Sequence, residues 1–239
     1  MDQGVVEICG FGKMKAETFD ERYYRHAGSI GIARRLSKAA RMRVHSLFMD
    51  KMRPLKNERI LDIGTSDETE KESNMLEQLY PWKEQITCAS LTDGTAIVKA
   101  YPGVRHVKIE AGQRLPFEDE EFDIVYSNAV LEHVGSRSQQ REFIHEMCRV
   151  GRRRFLAVPN RLFPIEHHTC IPLIHYLPQS WFRKILRGTK YDLWSHEENL
   201  NYISAPEIIK LWPQKKSEPK IIYSGIGAGV FYSNLIAID

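Results

Sequence analysis

The 239-residue sequence predicts an α/β protein, a doubly wound and mostly parallel seven-stranded sheet with an antiparallel C-terminal strand. Two observations predict it. From Arg59 to Val158, short apolar runs alternate with helix-periodic segments, the pattern of parallel strands joined by helical crossovers. The chain then ends in two strand-like runs, KIIYSGIGAG and VFYSNLIAI, and strands joined by a glycine-rich turn form an antiparallel hairpin. At 42% hydrophobic and 27% charged, the composition is that of a globular chain. A chain of this size buries roughly 70–75% of its unfolded surface, enough for a core without staples.

The elements follow in order. Residues 1–27 are polar and mixed and predict no element. Over residues 29–52, Ile32, Leu36, Ala39, Met42 or Arg43, Leu47 and Met49 recur at helical spacing, with Arg34, Arg35, Lys38, Arg41 and Lys51 between them. Pro54 stops that helix. A basic amphipathic helix can cover a core, lie on a membrane or grip phosphates. Arg59–Ile63 is the first strand, ending at Gly64, and a polar turn leads to the helical NMLEQLYPW. Ile86–Leu91 and Val104–Ile109 are the next strands, with a helix starting near Thr95 between them. Phe122–Ser127 is the fourth, followed by a helix broken at Gly135 and resumed over Gln139–Val150. Phe155–Val158 is the fifth, halted by Pro159.

Residues 161–205 leave this pattern. They hold Pro164, Pro172 and Pro178 and many aromatic and histidine side chains, and they follow a strand end. They are expected to hang over the mouth of the sheet as a lid. Residues 206–213 predict one short helix with Pro206 at its start. The expectation is one domain over 1–239, with 29–53 as a helical cover and 161–205 as a lid or substrate insertion. Ligands of such sheets bind beyond the carboxyl ends of the strands where strand order reverses, so the chemistry belongs after Ile63, Leu91, Ile109, Ser127 and Val158.

Charge and cysteine usage exclude several classes. A net charge of +3 makes no whole-chain case for nucleic acid. Cys9, Cys88, Cys148 and Cys170 lie far apart with no CxxC, so reduced thiols and a cytoplasmic location are expected. No run approaches the roughly 20 apolar residues of a membrane span. MDQGVVEICG lacks the basic start and apolar core of a signal peptide.

RILDIG, LPFEDEEFDIVYSNAVLEHV and RRFLAVPN together resemble the first, fourth and fifth strand motifs of class I S-adenosylmethionine-dependent methyltransferases. The resemblance is closest to the subgroup called methyltransferase type 11. It runs from about Arg59 to Asp239 and is strongest up to Asn160. EHHTCIPLIHYLP is similar to members associated with sugar and envelope-glycan gene neighbourhoods. The resemblance implies a Rossmann-like fold, S-adenosyl-L-methionine as cofactor and transfer of its methyl group. It implies a glycine turn after the first strand that admits backbone N–H groups to the ligand. It also implies an acid on the ribose hydroxyls, a polar residue at the adenine edge and a methionine site after the fourth strand.

Transferred residue by residue, the implied cofactor contacts are Asp62, Gly64, Thr65, Ser66, Asp67, Asp93, Ala111, Gly112, Ser127 and Asn128. The pattern departs in three places. Gly64-Thr65-Ser66-Asp67-Glu68 keeps only the first glycine; Ser90 stands where the ribose acid is expected, with Asp93 nearest; and Ala111 replaces the adenine-reading acid, with Glu110 adjacent. A non-catalytic descendant acting as a binding partner or scaffold therefore stays open. A nicotinamide-dependent dehydrogenase does not fit, because GxGxxG is absent.

The sulfonium brings its own activated leaving group, so the protein's task is alignment, and a hydroxyl acceptor still needs a base. Histidine titrates in the right range. His168 is the first candidate and His133 the second, with Glu166 able to fix the imidazole tautomer. Asn160, Arg161, Glu166, His167 and His175 are candidate substrate contacts. An acidic or phosphorylated acceptor would need no base, and Arg161 or Arg183 would be its clamp. His167, His168, His175 and His196, with Glu166, Glu197 and Glu198, show no standard ligand spacing, so no metal is expected. SNAVLEHV is neither the Asn-Pro-Pro-Tyr type used on exocyclic amines nor a Pro-Cys nucleophile. The expected acceptor is a hydroxyl of a small molecule or sugar, on which Phe163, Tyr176, Trp181, Phe182 and Trp194 could stack. Nucleic acid is not favoured as a partner, and a homodimer is left open.

Overall fold

The computed structural model describes residues 31–67, 73–214 and 216–239. The reading of residues 1–27 lies outside them. α1 (Gly31–Met52) leads into β1 (Ile60–Ile63), α2 (Met75–Leu79), β2 (Ile86–Ser90), α3 (Thr95–Ala100), β3 (Arg105–Lys108) and β4 (Phe122–Asn128). A 3₁₀ turn at Leu131–His133 precedes α4 (Arg137–Val150) and β5 (Gly151–Pro159). The segment 161–205 carries α5 (Gln179–Leu186), and α6 (Ala205–Leu211), β6 (Lys220–Ser224) and β7 (Asn234–Ile238) complete the chain. The strands form one sheet in the order β3-β2-β1-β4-β5-β7-β6, with β7 antiparallel to both neighbours. Strand order reverses between β1 and β4, which places a crevice beyond Ile63 and Asn128. Among the described residues, no helix is long and apolar enough to cross a membrane.

Alternation along the strands sorts side chains onto two faces. Leu61, Ile63, Val125, Leu156 and Val158 meet Ile144 and Met147 of α4 and Ile208 and Leu211 of α6. Ile60, Cys88, Ile124, Tyr126 and Phe155 meet Val44, Phe48 and Met52 of α1, with Leu76 and Ile97. Helix α1 is thus packed on the core, with Phe48 edge-on to both Tyr126 and Phe155. Phe182, Leu186, Trp194, Leu200 and Tyr202 give the segment 161–205 an apolar cluster of its own.

Most boundaries shift by a residue or two from the sequence reading, and three differences have a clear physical cause. β5 begins four residues before Phe155, because its arginines are matched. Arg153 reaches Glu58 at 2.7 Å and the Met52 carbonyl at 2.6 Å, and the buried Arg154 pairs with Asp239. α4 starts at Arg137 and not Gln139, since Ser136 and Gln139 form a reciprocal capping box. The terminal strands stop at Ser224 and resume at Asn234, because Gly225, Gly227 and Gly229 adopt φ of +93°, +126° and +56°. Arg43 ties α1 to this glycine segment, donating to the Gly225 carbonyl at 2.6 Å. Pro206 sits in the first turn of α6 as expected, behind a Ser204–Glu207 capping box.

Candidate active site

The turn after β1 is built around Gly64, whose φ of +93° suits a residue without Cβ. Its N–H donates to the Ala89 carbonyl at 2.8 Å. A Cβ placed there would lie 2.3 Å from Val130 Cγ2, so the loop after β4 packs directly across this glycine. Ser127, fully buried, joins the two strand ends by donating to the Ile63 carbonyl at 3.1 Å. Asn128 is half-buried at the end of β4, and Ala129 follows with φ +58°. Thr65 is buried, and Ser66 exchanges hydrogen bonds with Asn74.

Asp67 crosses to the next crossover. Its carboxylate accepts from the N–H groups of Gly94 at 3.2 Å and Ile97 at 3.4 Å, satisfying the first turn of α3, whose N-cap glycine has no side chain to do so. Asp93 is exposed and accepts from the Thr95 N–H at 3.0 Å, a bond that holds its carboxyl below the ordinary range. Ser90 is buried and bonded to Thr92 at 3.0 Å and to His106 Nε2 at 2.8 Å. Ala111 and Gly112 line a small open cavity of about 70 Å³ with Ile63, Glu110, Gln113 and Phe143. The space lies beside the carboxyl ends of β1 and β3, where ligands of such sheets bind.

Asp62 faces the α1 side of the sheet, level with Cys88 and Tyr126. Burial pushes its carboxyl well up, and the neighbouring Glu77 carboxylate, to which it hydrogen-bonds, pushes it further. Burial also raises Glu77, whose Oε1 accepts from the Cys88 thiol at 3.4 Å. Asp62 is therefore the protonated partner, donating to Glu77. Sequence reading missed Glu77, because a single glutamate in an amphipathic turn carries no sign of burial.

The segment after β5 brings His168 to His133. Glu166 is fully buried and accepts from His168 Nδ1 at 2.8 Å, the His168 N–H at 2.9 Å, the Thr169 N–H at 2.5 Å and the Tyr202 hydroxyl. Burial opposes its charge, but His168 and these donors hold its carboxyl well below the carboxylate range. His168 Nε2 lies 3.3 Å from His133 Nε2, and His133 Nδ1 lies 2.7 Å from the Asn199 carbonyl. Burial above all, with the neighbouring His168 acting in the same direction, drives His133 down to about 3. Trp194 packs on His168 with ring centroids 4.5 Å apart.

The remaining candidates stand apart from this pair. Burial lowers His167 to about 4, and it packs against Phe163. His175 is buried, with Nε2 bonded to the Arg161 carbonyl at 3.0 Å. Arg161, Arg183 and His175 line a second, smaller cavity, and Arg183 is 3.3 Å from Glu197. Both amide hydrogens of Asn160 are committed, to the carbonyls of Val230 at 2.8 Å and Tyr232 at 2.7 Å. His196 lies in a half-exposed group with Asp192 and Glu198. Of the lid aromatics, Phe182 and Trp194 are buried in the lid's cluster, while Trp181 and Tyr176 are exposed.

Residues 61–154 match the methyltransferase domain family. No curated protein matches the chain. Among solved structures, magnesium protoporphyrin IX methyltransferase from Synechocystis PCC 6803, with bound SAH, aligns with a TM-score of 0.57 at 16% identity, over 93% of this chain and 94% of that one. A SAM-dependent methyltransferase from Thermotoga maritima aligns with a TM-score of 0.57 at 14% identity, over 93% and 94%. Another from Aquifex aeolicus gives 0.50 at 14% identity, over 85% and 92%. The sheet order, the reversed last strand and these alignments define the class I methyltransferase fold. The sequence match to the methyltransferase domain family runs from β1 into β5.

Proposed function

We propose that this protein transfers the methyl group of S-adenosylmethionine to a hydroxyl of a small molecule, with a sugar or glycan precursor as the acceptor class. The carrying observation is the buried His168–Glu166 pair at the joint between the lid and the loop after β4. A hydroxyl becomes a competent nucleophile as its proton leaves, and His168, with Nδ1–H held by a carboxylate, presents Nε2 as the acceptor. Glu166 then stabilises the imidazolium that forms.

The turn at Gly64, with Thr65, Ser66 and Asp67, is the proposed seat of the methionine portion, completed by Ser127 and Asn128. The cavity at Ala111 and Gly112 is the seat of the adenine, with Asp93 on the ribose side. Arg161, His167 and His175 are assigned to the acceptor side, and exposed Trp181 and Tyr176 offer apolar faces to a sugar ring. The alignment with an SAH-bound methyltransferase supports the choice of cofactor.

A second reading, a binding partner or scaffold without catalysis, is favoured by one feature, the Val130 methyls lying across Gly64. Native mass spectrometry of freshly purified protein separates the two. The expected result is a retained mass of S-adenosylmethionine or its demethylated product, and cofactor-dependent methylation in a panel of glycosides. Retention of neither, with no binding of added cofactor, would leave the scaffold reading in place.

A further inference from the structure

The structure assigns a divalent transition-metal site, of the zinc class, to Glu132, His133 and His168. Among the described residues, these three form the one group of histidine, cysteine and acidic side chains whose ligand atoms all lie within 4.8 Å of one another. All three are buried.

Two features of the imidazoles point to a cation. His133 Nδ1 faces a carbonyl oxygen at 2.7 Å, and His168 Nδ1 faces a Glu166 carboxylate oxygen at 2.8 Å. The carbonyl and the carboxylate accept only, and the Tyr202 hydroxyl 3.0 Å from His168 Nδ1 gives its own proton to Glu166, so each Nδ1 carries a proton and each Nε2 is left as the ligand atom. This is the tautomer that outer-shell carbonyls and carboxylates impose on metal-binding histidines. The two Nε2 atoms lie 3.3 Å apart. Two nitrogen ligands about 2.0–2.1 Å from a tetrahedral ion are separated by about 3.3 Å, the edge of that tetrahedron.

Glu132 supplies the independent observation. Its side chain is 1% exposed, and neither carboxyl oxygen has a hydrogen-bond partner. Oε1 lies 3.8 Å from His133 Nε2, so the unpartnered group is aimed at the imidazole pair. A buried carboxyl without a partner is costly, and a cation between the three side chains would satisfy it. Two imidazoles and one carboxylate, with a fourth position open, suit zinc, cobalt or iron better than magnesium or calcium, which favour all-oxygen shells.

The site rests on these side chains and not on the methyl-transfer reading. A cation and a proton compete for His168 Nε2, so loading removes that nitrogen as a base. Metal binding is therefore measured without cofactor or acceptor.

The test titrates chelator-stripped full-length protein with Co²⁺, following the visible absorption of tetrahedral Co²⁺, and with Zn²⁺ against a competing chelator. One equivalent is expected to bind, and His133→Ala and the near-isosteric Glu132→Gln are each expected to weaken binding at least 100-fold. Glu166→Gln, which touches only the outer shell, should weaken it about 10–100-fold. His196→Ala should leave it unchanged. Circular dichroism establishes that each variant is folded. Absence of saturable binding, affinity unchanged in Glu132→Gln, or binding lost in His196→Ala would each overturn the assignment.

Discussion

Replacing Gly64 by alanine puts the closest contact of the cofactor turn to a direct test. The new Cβ meets Val130 Cγ2 at 2.3 Å, Cγ1 at 2.9 Å and Cβ at 3.2 Å, at a φ of +93°. A side chain in the left-handed region costs about 1–2 kcal/mol. Forcing Val130 aside adds about 1–3 kcal/mol of overpacking. The expected loss is thus about 2–5 kcal/mol, read by urea unfolding as a lower midpoint with an unchanged slope. Val130→Ala removes the two shortest contacts and leaves the one at 3.2 Å. The double variant should therefore be less destabilised than the sum of the singles by about 1–3 kcal/mol, while the backbone cost persists. Cofactor affinity should fall in Gly64→Ala, because the shifted turn no longer presents its backbone to the ligand. Additivity within about 0.5 kcal/mol would refute the packing of Val130 over this glycine, and unchanged cofactor affinity would refute the placement of the methionine seat.

Asp62→Asn mimics the protonated donor to Glu77. The wild-type pair has folded-state carboxyl affinities raised above unfolded ones, so its stabilising proton is fully present below about pH 4 and is lost as pH rises through the folded value. Each such proton gives a slope of up to about 1.4 kcal/mol per pH unit, so the variant should show a flatter stability–pH curve and greater stability at pH 8; identical curves would contradict the buried pair. His168→Ala should leave cofactor affinity intact and cut methyl transfer by about 10²–10⁴, and full turnover would remove the need for a base there. Asn160→Ala strips the Val230 and Tyr232 carbonyls of their donors and should cost about 2 kcal/mol or more in thermal or urea unfolding, with no loss expected if those bonds were incidental.

The sheet was legible because its signals are local. RILDI, ITCASL and FDIVYS are short apolar runs that turn-forming residues bound, and the hairpin announces itself by KIIYSGIGAG. The start of β5 was not, because three consecutive arginines argue against a strand until Glu58, the Met52 carbonyl and Asp239 are seen to receive Arg153 and Arg154. The His168–Glu166 pair was legible from their proximity in EHH. Its contacts with Tyr202 and His133, and that of His133 with the Asn199 carbonyl, span more than thirty residues and required residues 161–205 to be folded onto the strand ends. Ligand spacing searched among residues 166–198 likewise passed over Glu132 and His133, which come from the turn after β4. Asp67, Asp93 and Asn160 are acids or amides in loops, and no sequence pattern tells a ligand contact from the capping and carbonyl bonds they make.

Calorimetric titration of the full-length protein with S-adenosylhomocysteine, in parallel with Gly64→Ala, tests the central claim most directly. The account predicts saturable binding of one equivalent to the wild-type protein and a marked loss of affinity in the variant. Absence of binding heat and of any thermal stabilisation at millimolar ligand, from correctly folded wild-type protein, would contradict it.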